Sequence, residues 1–188
     1  MSINNIKLQN GGKRMNTLDA IFTRKSVRDF SDKRISDEDL RTILRAGMSG
    51  PSAVNTRPWH FVVVRDEEII NKMVQVNGRA AGPLWGADLG IMVCGDLDCA
   101  FKPAPGYWVV DSSIACQNMM LAARELGIGS VMLGTYPQEE RVLGQAELFG
   151  VPDNIVPFAI IALGYPAEGE TFEERDLYEE EKVHYDKW

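Results

Sequence analysis

Arg24-Lys25-Ser26-Val27-Arg28-Asp29-Phe30 and, further on, Pro51-Ser52-Ala53-Val54-Asn55-Thr56-Arg57-Pro58-Trp59-His60-Phe61 are the stretches whose reading decides the fold. The first sets three cations and a hydroxyl within five residues. In an extended chain positions 24, 26 and 28 point the same way, because side chains alternate with period two. Two guanidiniums flanking a hydroxyl form a receptor for a phosphate dianion, since Arg offers a planar fork of donors to oxyanions. The second stretch alternates turn formers with an amide and closes on the apolar run Phe61 to Val64. It offers backbone N–H groups, an Asn amide and an Arg to something flat and polar. Together the two predict a phosphorylated, ring-bearing cofactor.

The rest of the composition fits a single-domain enzyme. The chain has 188 residues, long enough to bury a substantial core. Its formal net charge is −7 with no basic stripe to offset it, which argues against nucleic acid or an anionic membrane as main partner. No apolar run approaches the roughly 18 residues of a membrane span; Ile155 to Leu163 contains Pro157 and reads as a buried strand. The N-terminus shows no signal-peptide pattern. Cys94, Cys99 and Cys116 include no Cys-x-x-Cys motif, and Cys94 and Cys116 fall in apolar segments, so buried thiols are expected. Two histidines, His60 and His184, make a metal site improbable. The expected compartment is a reducing cytoplasm.

Residues 1–14 are polar and end just before a second methionine, Met15, and are read as a flexible extension or a non-native start. Residues 15–188 are read as one domain. Thr17 is expected to cap a helix to about Thr23 with Leu18, Ile21 and Phe22 inward. Ser36 with Asp39 forms a variant capping box for a helix ending at Gly47 to Pro51. Phe61 to Val64 predicts a strand, Asp66 starts a helix, Asn77 to Gly86 is loop-like, and Leu89 to Cys94 is a strand covered on both faces. Asp111 to Leu126 is the longest helix. Strands at Ser130 to Leu133 and Val156 to Leu163 flank a helix from Gln138 to Phe149. From Glu168 to Glu181 eight acids face one Arg, yet Tyr178, Tyr185 and Trp188 argue that this tail docks on something.

Alternating strands and helices by themselves suggest a doubly wound parallel sheet. No Gly-x-Gly-x-x-Gly follows a strand, however; Gly127-Ile128-Gly129 follows a helix and lacks the third glycine. The two opening stretches, together with Trp108 to Gly134 and Leu163-Gly164-Tyr165-Pro166, resemble the nitroreductase family of FMN-dependent oxidoreductases, nearly throughout from Met15 onward. That resemblance implies an α+β fold, a mostly antiparallel sheet of about four or five strands flanked by helices. It also implies an intertwined homodimer whose two FMN sites lie at the interface, with the tail from about residue 167 wrapping the partner.

Roles follow from the resemblance residue by residue. Arg24, Lys25 and Ser26 bind the phosphate and ribityl end of FMN, and Arg175 is the basic residue placed to complete it. Arg28 lies near the N1–C2=O edge of the flavin and raises its potential. Pro51, Ser52, Ala53 and Asn55 reach the cofactor from the opposite subunit, and Arg57 stands where the motif commonly has Gln. Val131, Met132, Leu133 and Gly134 run along the flavin with backbone N–H groups toward N5 and O4. Leu133 occupies a position that is often Glu, which predicts a less polar pocket. Asn77 and Arg79 are the candidates to match the Lys or Asn residues that some relatives place between the second helix and the next strand.

No side chain is expected as a dedicated acid, base or nucleophile, because the cofactor carries the chemistry. The implied reaction is ping-pong: NADH or NADPH gives hydride to flavin N5, and a nitroaromatic, quinone or similar acceptor then takes two electrons. Alternatives on the same scaffold are dehalogenation, flavin fragmentation, or a non-enzymatic FMN sensor or store.

Overall fold

Short polar side chains set the helix starts. A computed structural model describes residues 15–188, so the expectation for residues 1–14 lies outside the described residues. Helix α1 (Thr17–Thr23) is capped not by Thr17 but by Asn16, whose Oδ1 accepts the Asp19 N–H at 3.0 Å while Asp19 Oδ2 accepts the Asn16 N–H. Ser36 Oγ caps α2 (Asp37–Met48), and Asp66 Oδ1 caps α3 (Glu67–Asn77) by accepting the Ile69 N–H. Each cap satisfies a backbone donor that the helix leaves unpaired.

Strand β1 spans Trp59–Val64 and the wholly buried β2 spans Leu89–Asp96. The expected loop between α3 and β2 contains 3-10 turns over Arg79–Gly86. Helix α4 runs Tyr107–Glu125, four residues earlier than the apolar spacing suggested, with Gly106 at its cap. Its first turn, Tyr107 to Val110, carries no polar start signal, which is why the sequence hides it. Then come β3 (Gly129–Gly134), α5 (Glu139–Phe149) and β4 (Ile155–Gly164).

The sheet order is β1-β2-β4-β3 and every pairing is antiparallel. The parallel arrangement suggested by element order alone is therefore excluded, and the α+β architecture holds. Strand alternation sends Ile91, Ile161 and Leu163 toward α2 and α4, where Ile43, Cys116, Met119 and Ala123 close one core. Met92, Ile160, Ala162, Val131 and Leu133 face the other way, toward Ile70, Met73 and Val74 of α3. Helices α2 and α4 approach closely: a Cβ on Gly47 would stand 2.8 Å from Met119 Cγ. Cys94 and Cys116 are buried as expected, and burial pushes both thiols up to about 12.

Helix α1 departs from expectation. Only Ala20 is buried; Leu18, Ile21 and Phe22 are 58%, 42% and 46% exposed. Its apolar face turns out of the chain because the contact with α4 is made by the small side of a seven-residue helix. The tail likewise exposes Leu177, Tyr178, Tyr185 and Trp188.

Candidate functional site

The basic tract lies along the start of β3. Ser26 pairs with Ser130 as a short parallel bridge, and the Val27 N–H donates to the Ser130 carbonyl at 3.0 Å. Val27 is buried, and its methyls stand 2.8 to 3.0 Å from where a Cβ on Gly129 would be, so glycine there lets the tract close onto the strand. With Val27 inward, Ser26 and Arg28 face out, as period-two alternation requires. Arg28 Nη1 reaches only the Ser26 carbonyl, at 3.4 Å.

The tail comes back to this tract. Lys25 Nζ pairs with Glu170 Oε2 at 2.5 Å, so its charge is directed to the tail. Phe172 packs against the Arg124 guanidinium, 4.1 Å from its carbon to the ring centroid, and Arg124 Nε donates to Thr23 Oγ1 at 2.8 Å. Three residues on, Arg175 Nη2 donates to the Arg24 carbonyl at 2.7 Å. Burial lowers the Arg24 pKa and the neighbouring Arg175 cation lowers it further. Among the described residues no carboxylate pairs with either guanidinium. Two like charges held together without a counter-charge make a strong local demand for an anion.

Beyond Ser130 the outer edge of β3 has no strand partner among the described residues. The Ser130 carbonyl points to that edge, so the alternation of the ladder turns the N–H groups of Met132 and Gly134 the same way. Met132 is 44% exposed, whereas Leu133 is buried in the core toward α3. Leu133 therefore turns its side chain into the core and its backbone toward β4, and the expectation that its side chain lowers the polarity of the pocket is corrected. Asn77 is also not free to touch a ligand: it is buried and bonded to Gly134, Thr135 and Gln145.

The second stretch folds as a tight loop, a 3-10 turn over Ala53–Asn55 leading into β1. Val54, Asn55 and Arg57 all adopt left-handed φ, at 43°, 61° and 53°. For a β-branched residue such as Val54 this costs roughly 1–3 kcal/mol, and such strain persists where surroundings impose it. Ser52 Oγ accepts the Arg57 N–H at 2.9 Å, and Asp111 Oδ1 on α4 accepts the Ala53 N–H at 3.0 Å. Asp111 is buried, which pushes its carboxyl above the ordinary carboxylate range against the pull of the Ala53 bond. Pro51, Asn55 and Arg57 are exposed. This loop feeds β1, one edge of the sheet, while Arg24, Ser26, Arg28, Gly134 and Arg175 gather near β3, the other edge. One chain thus assembles the phosphate-type cluster with the strand edge and holds the Pro51–Arg57 loop apart from them.

The fold and these motifs find a match. The model of the Nitroreductase family matches residues 21–85 and 102–165, which include both opening stretches and β3. The chain belongs to the nitroreductase family. A protein of Methanothermobacter thermautotrophicus provisionally named NADH dehydrogenase/NAD(P)H nitroreductase is 45% identical over 175 residues, 93% of this chain and 89% of that one. A crystal structure from Bacteroides thetaiotaomicron under the same provisional name superposes with a TM-score of 0.84 at 40% identity, covering 92% of this chain and 98% of the other. An FMN-dependent nitroreductase from Clostridium difficile superposes with a TM-score of 0.81 at 28% identity, covering 91% and 99%.

Between β2 and α4, residues 97–106 form turns and bends only. A cavity of about 510 Å3 lies elsewhere, between the Ser31–Arg34 segment and the start of α3. Its walls pair their own charges, Asp88 with Arg34 and Arg65. Sequence reading missed Ser130 as the partner of Ser26, Phe172 and Arg124 as the seat of the tail, and the polar residues around Gly134. Distance in sequence hid the Ser26–Ser130, Arg124–Phe172 and Asn77–Gly134 pairings, each of which spans dozens of residues.

Proposed function

We propose that this nitroreductase-family protein is an FMN-dependent NAD(P)H oxidoreductase that works as a homodimer. The observation that carries the reading is the meeting of Arg24 and Arg175 without a carboxylate, beside an uncovered strand edge. That donor set suits a phosphate dianion with a flat hydrogen-bonding ring next to it. Arg24, Arg175 and the Ser26 hydroxyl would hold the phosphate end of FMN, with Lys25 fastening the tail through Glu170. Met132 and Gly134 would offer backbone to the ring, and the exposed Arg28 would supply a fixed positive charge near it. The Pro51–Arg57 loop of a second copy, with Ser52, Ala53, Asn55 and Arg57, would close the site. Bound FMN supplies the redox chemistry, accepting hydride from NADH or NADPH and delivering two electrons to a nitroaromatic, quinone or similar acceptor.

Two features favour the second copy. The exposed apolar face of α1 and the aromatic tail give it surface to bury, and the strained loop has its cofactor-type groups turned outward in the single chain. Exposed apolar surface of this kind marks an interaction site, which a second copy of the chain would cover.

The test is a fluorescence titration of apoprotein with FMN and with riboflavin, which lacks the phosphate. The expected result is one FMN per chain, with riboflavin bound at least about 100-fold more weakly, since two charge-assisted bonds contribute roughly 1.5–3 kcal/mol each. Equal affinities would remove the phosphate site from the account.

A further inference from the structure

The end of β3 is held by a polar clamp. The Gly134 carbonyl accepts two side-chain bonds, from Asn77 Nδ2 at 3.0 Å and from Arg141 Nη1 at 3.0 Å. Asn77 Oδ1 accepts from Thr135 Oγ1 at 3.1 Å and from Gln145 Nε2 at 3.3 Å, and the same Gln145 nitrogen donates to the Met73 carbonyl at 2.8 Å. These contacts fix which way the Asn77 amide faces: only its nitrogen can serve a carbonyl, only its oxygen a hydroxyl donor and an amide. Helix α3, helix α5 and β3 therefore converge on one carbonyl.

Stability alone does not call for this arrangement. Asn77, Thr135 and Gln145 are all buried, and Gln145 Oε1 has no partner, an uncompensated loss for a buried polar atom. A carbonyl at an open sheet edge could be served by water without burying two amides. What the clamp does achieve is to fix the backbone of a glycine, the residue with most conformational freedom to lose. Nothing lies within 4 Å of where a Gly134 Cβ would stand, so the clamped peptide borders open space. The next residues continue the anchoring, with both the Thr135 and Tyr136 N–H groups donating to the Phe158 carbonyl.

We infer that Asn77, Gln145 and Arg141 are positioning residues for the ring end of the cofactor, holding Gly134 as a rigid backbone ledge. The inference rests on the FMN reading proposed above and adds to it a support for the ring that lies outside the phosphate cluster. The clamp touches neither phosphate-type cation, so its loss weakens ring binding and leaves phosphate recognition intact.

Arg141→Ala is the variant of choice because Arg141 sits on the accessible side of the clamp, and its removal leaves the buried Asn77–Thr135–Gln145 group in place. FMN and riboflavin titrations of this variant are expected to weaken by the same factor, about tenfold, with the melting temperature within a few degrees of wild type. Arg141→Lys, which can still donate one bond to the carbonyl, restores most of the affinity. An Arg141→Ala protein with wild-type affinity for both flavins overturns the inference, and so does one that loses FMN affinity alone. Wild-type protein that binds neither flavin overturns instead the FMN reading on which the inference rests, and the inference with it.

Discussion

Replacing Arg24 and Arg175 together by alanine lowers FMN affinity by about two to four orders of magnitude, and removes the preference for FMN over riboflavin. Each guanidinium would donate a charge-assisted bond to the phosphate, worth roughly 1.5–3 kcal/mol, and tenfold in affinity is about 1.4 kcal/mol. The structure adds a second, opposite effect that distinguishes this site from ordinary surface charge. In the unliganded chain the two cations lower one another's stability, as the depressed Arg24 pKa reflects after the larger effect of burial. Arg24→Ala should therefore leave the FMN-free protein as stable as wild type or slightly more so, while FMN no longer raises its melting temperature. Thermal unfolding with and without FMN reads both effects. An unliganded variant that is much less stable would make Arg24 a structural residue; an unchanged response to FMN would place the phosphate elsewhere.

The second large effect is on assembly. Phe22→Asp is expected to raise the dissociation constant of the proposed homodimer by about two to four orders of magnitude. A two-fold interface carries the residue twice, and burying one Phe contributes roughly 1.5–3 kcal/mol. Within the single chain Phe22 is 46% exposed and contributes little to the core, so the monomer should stay folded. Because the Pro51–Arg57 loop and the Arg24 cluster sit at opposite edges of one sheet, the monomer should also lose FMN. Sedimentation across a range of concentrations, with flavin content measured on the same samples, checks both. A dimer as tight as wild type would show that α1 does not contribute to the interface.

Much of the fold was legible because local chemistry decides it. Ser36 and Asp66 mark helix starts with side chains that accept backbone donors, and Leu89 to Cys94 is so uniformly apolar that only a strand covered on both faces fits. The direction of the strands was not legible from the residues, because a strand–helix–strand order is compatible with parallel or antiparallel return. It came from the resemblance carried by Arg24 to Phe30 and Pro51 to Phe61. The outward face of α1 was misread for a related reason: Leu18, Ile21 and Phe22 have the spacing of buried residues, and periodicity does not say whether the covering surface belongs to the same chain.

The site shows the same division. The cation–hydroxyl–cation pattern of residues 24 to 28 announces an anion, and the structure sets it against β3. That Lys25 turns to Glu170, and that Arg175 returns to Arg24, depends on contacts across about 150 positions of chain. Asn77 was noticed at the start of the loop-like segment before β2, as a match for a Lys or Asn that some relatives place there. Its bonds to Gly134, Thr135 and Gln145 show that its amide supports the strand instead.

The most direct test is a visible absorption spectrum of the purified protein with FMN supplied, taken before and after anaerobic addition of NADH or NADPH. The account predicts a flavin band at one FMN per chain that bleaches with at least one of the two nucleotides. A band that persists with both would contradict the oxidoreductase reading, and a protein showing no bound flavin would contradict the site itself.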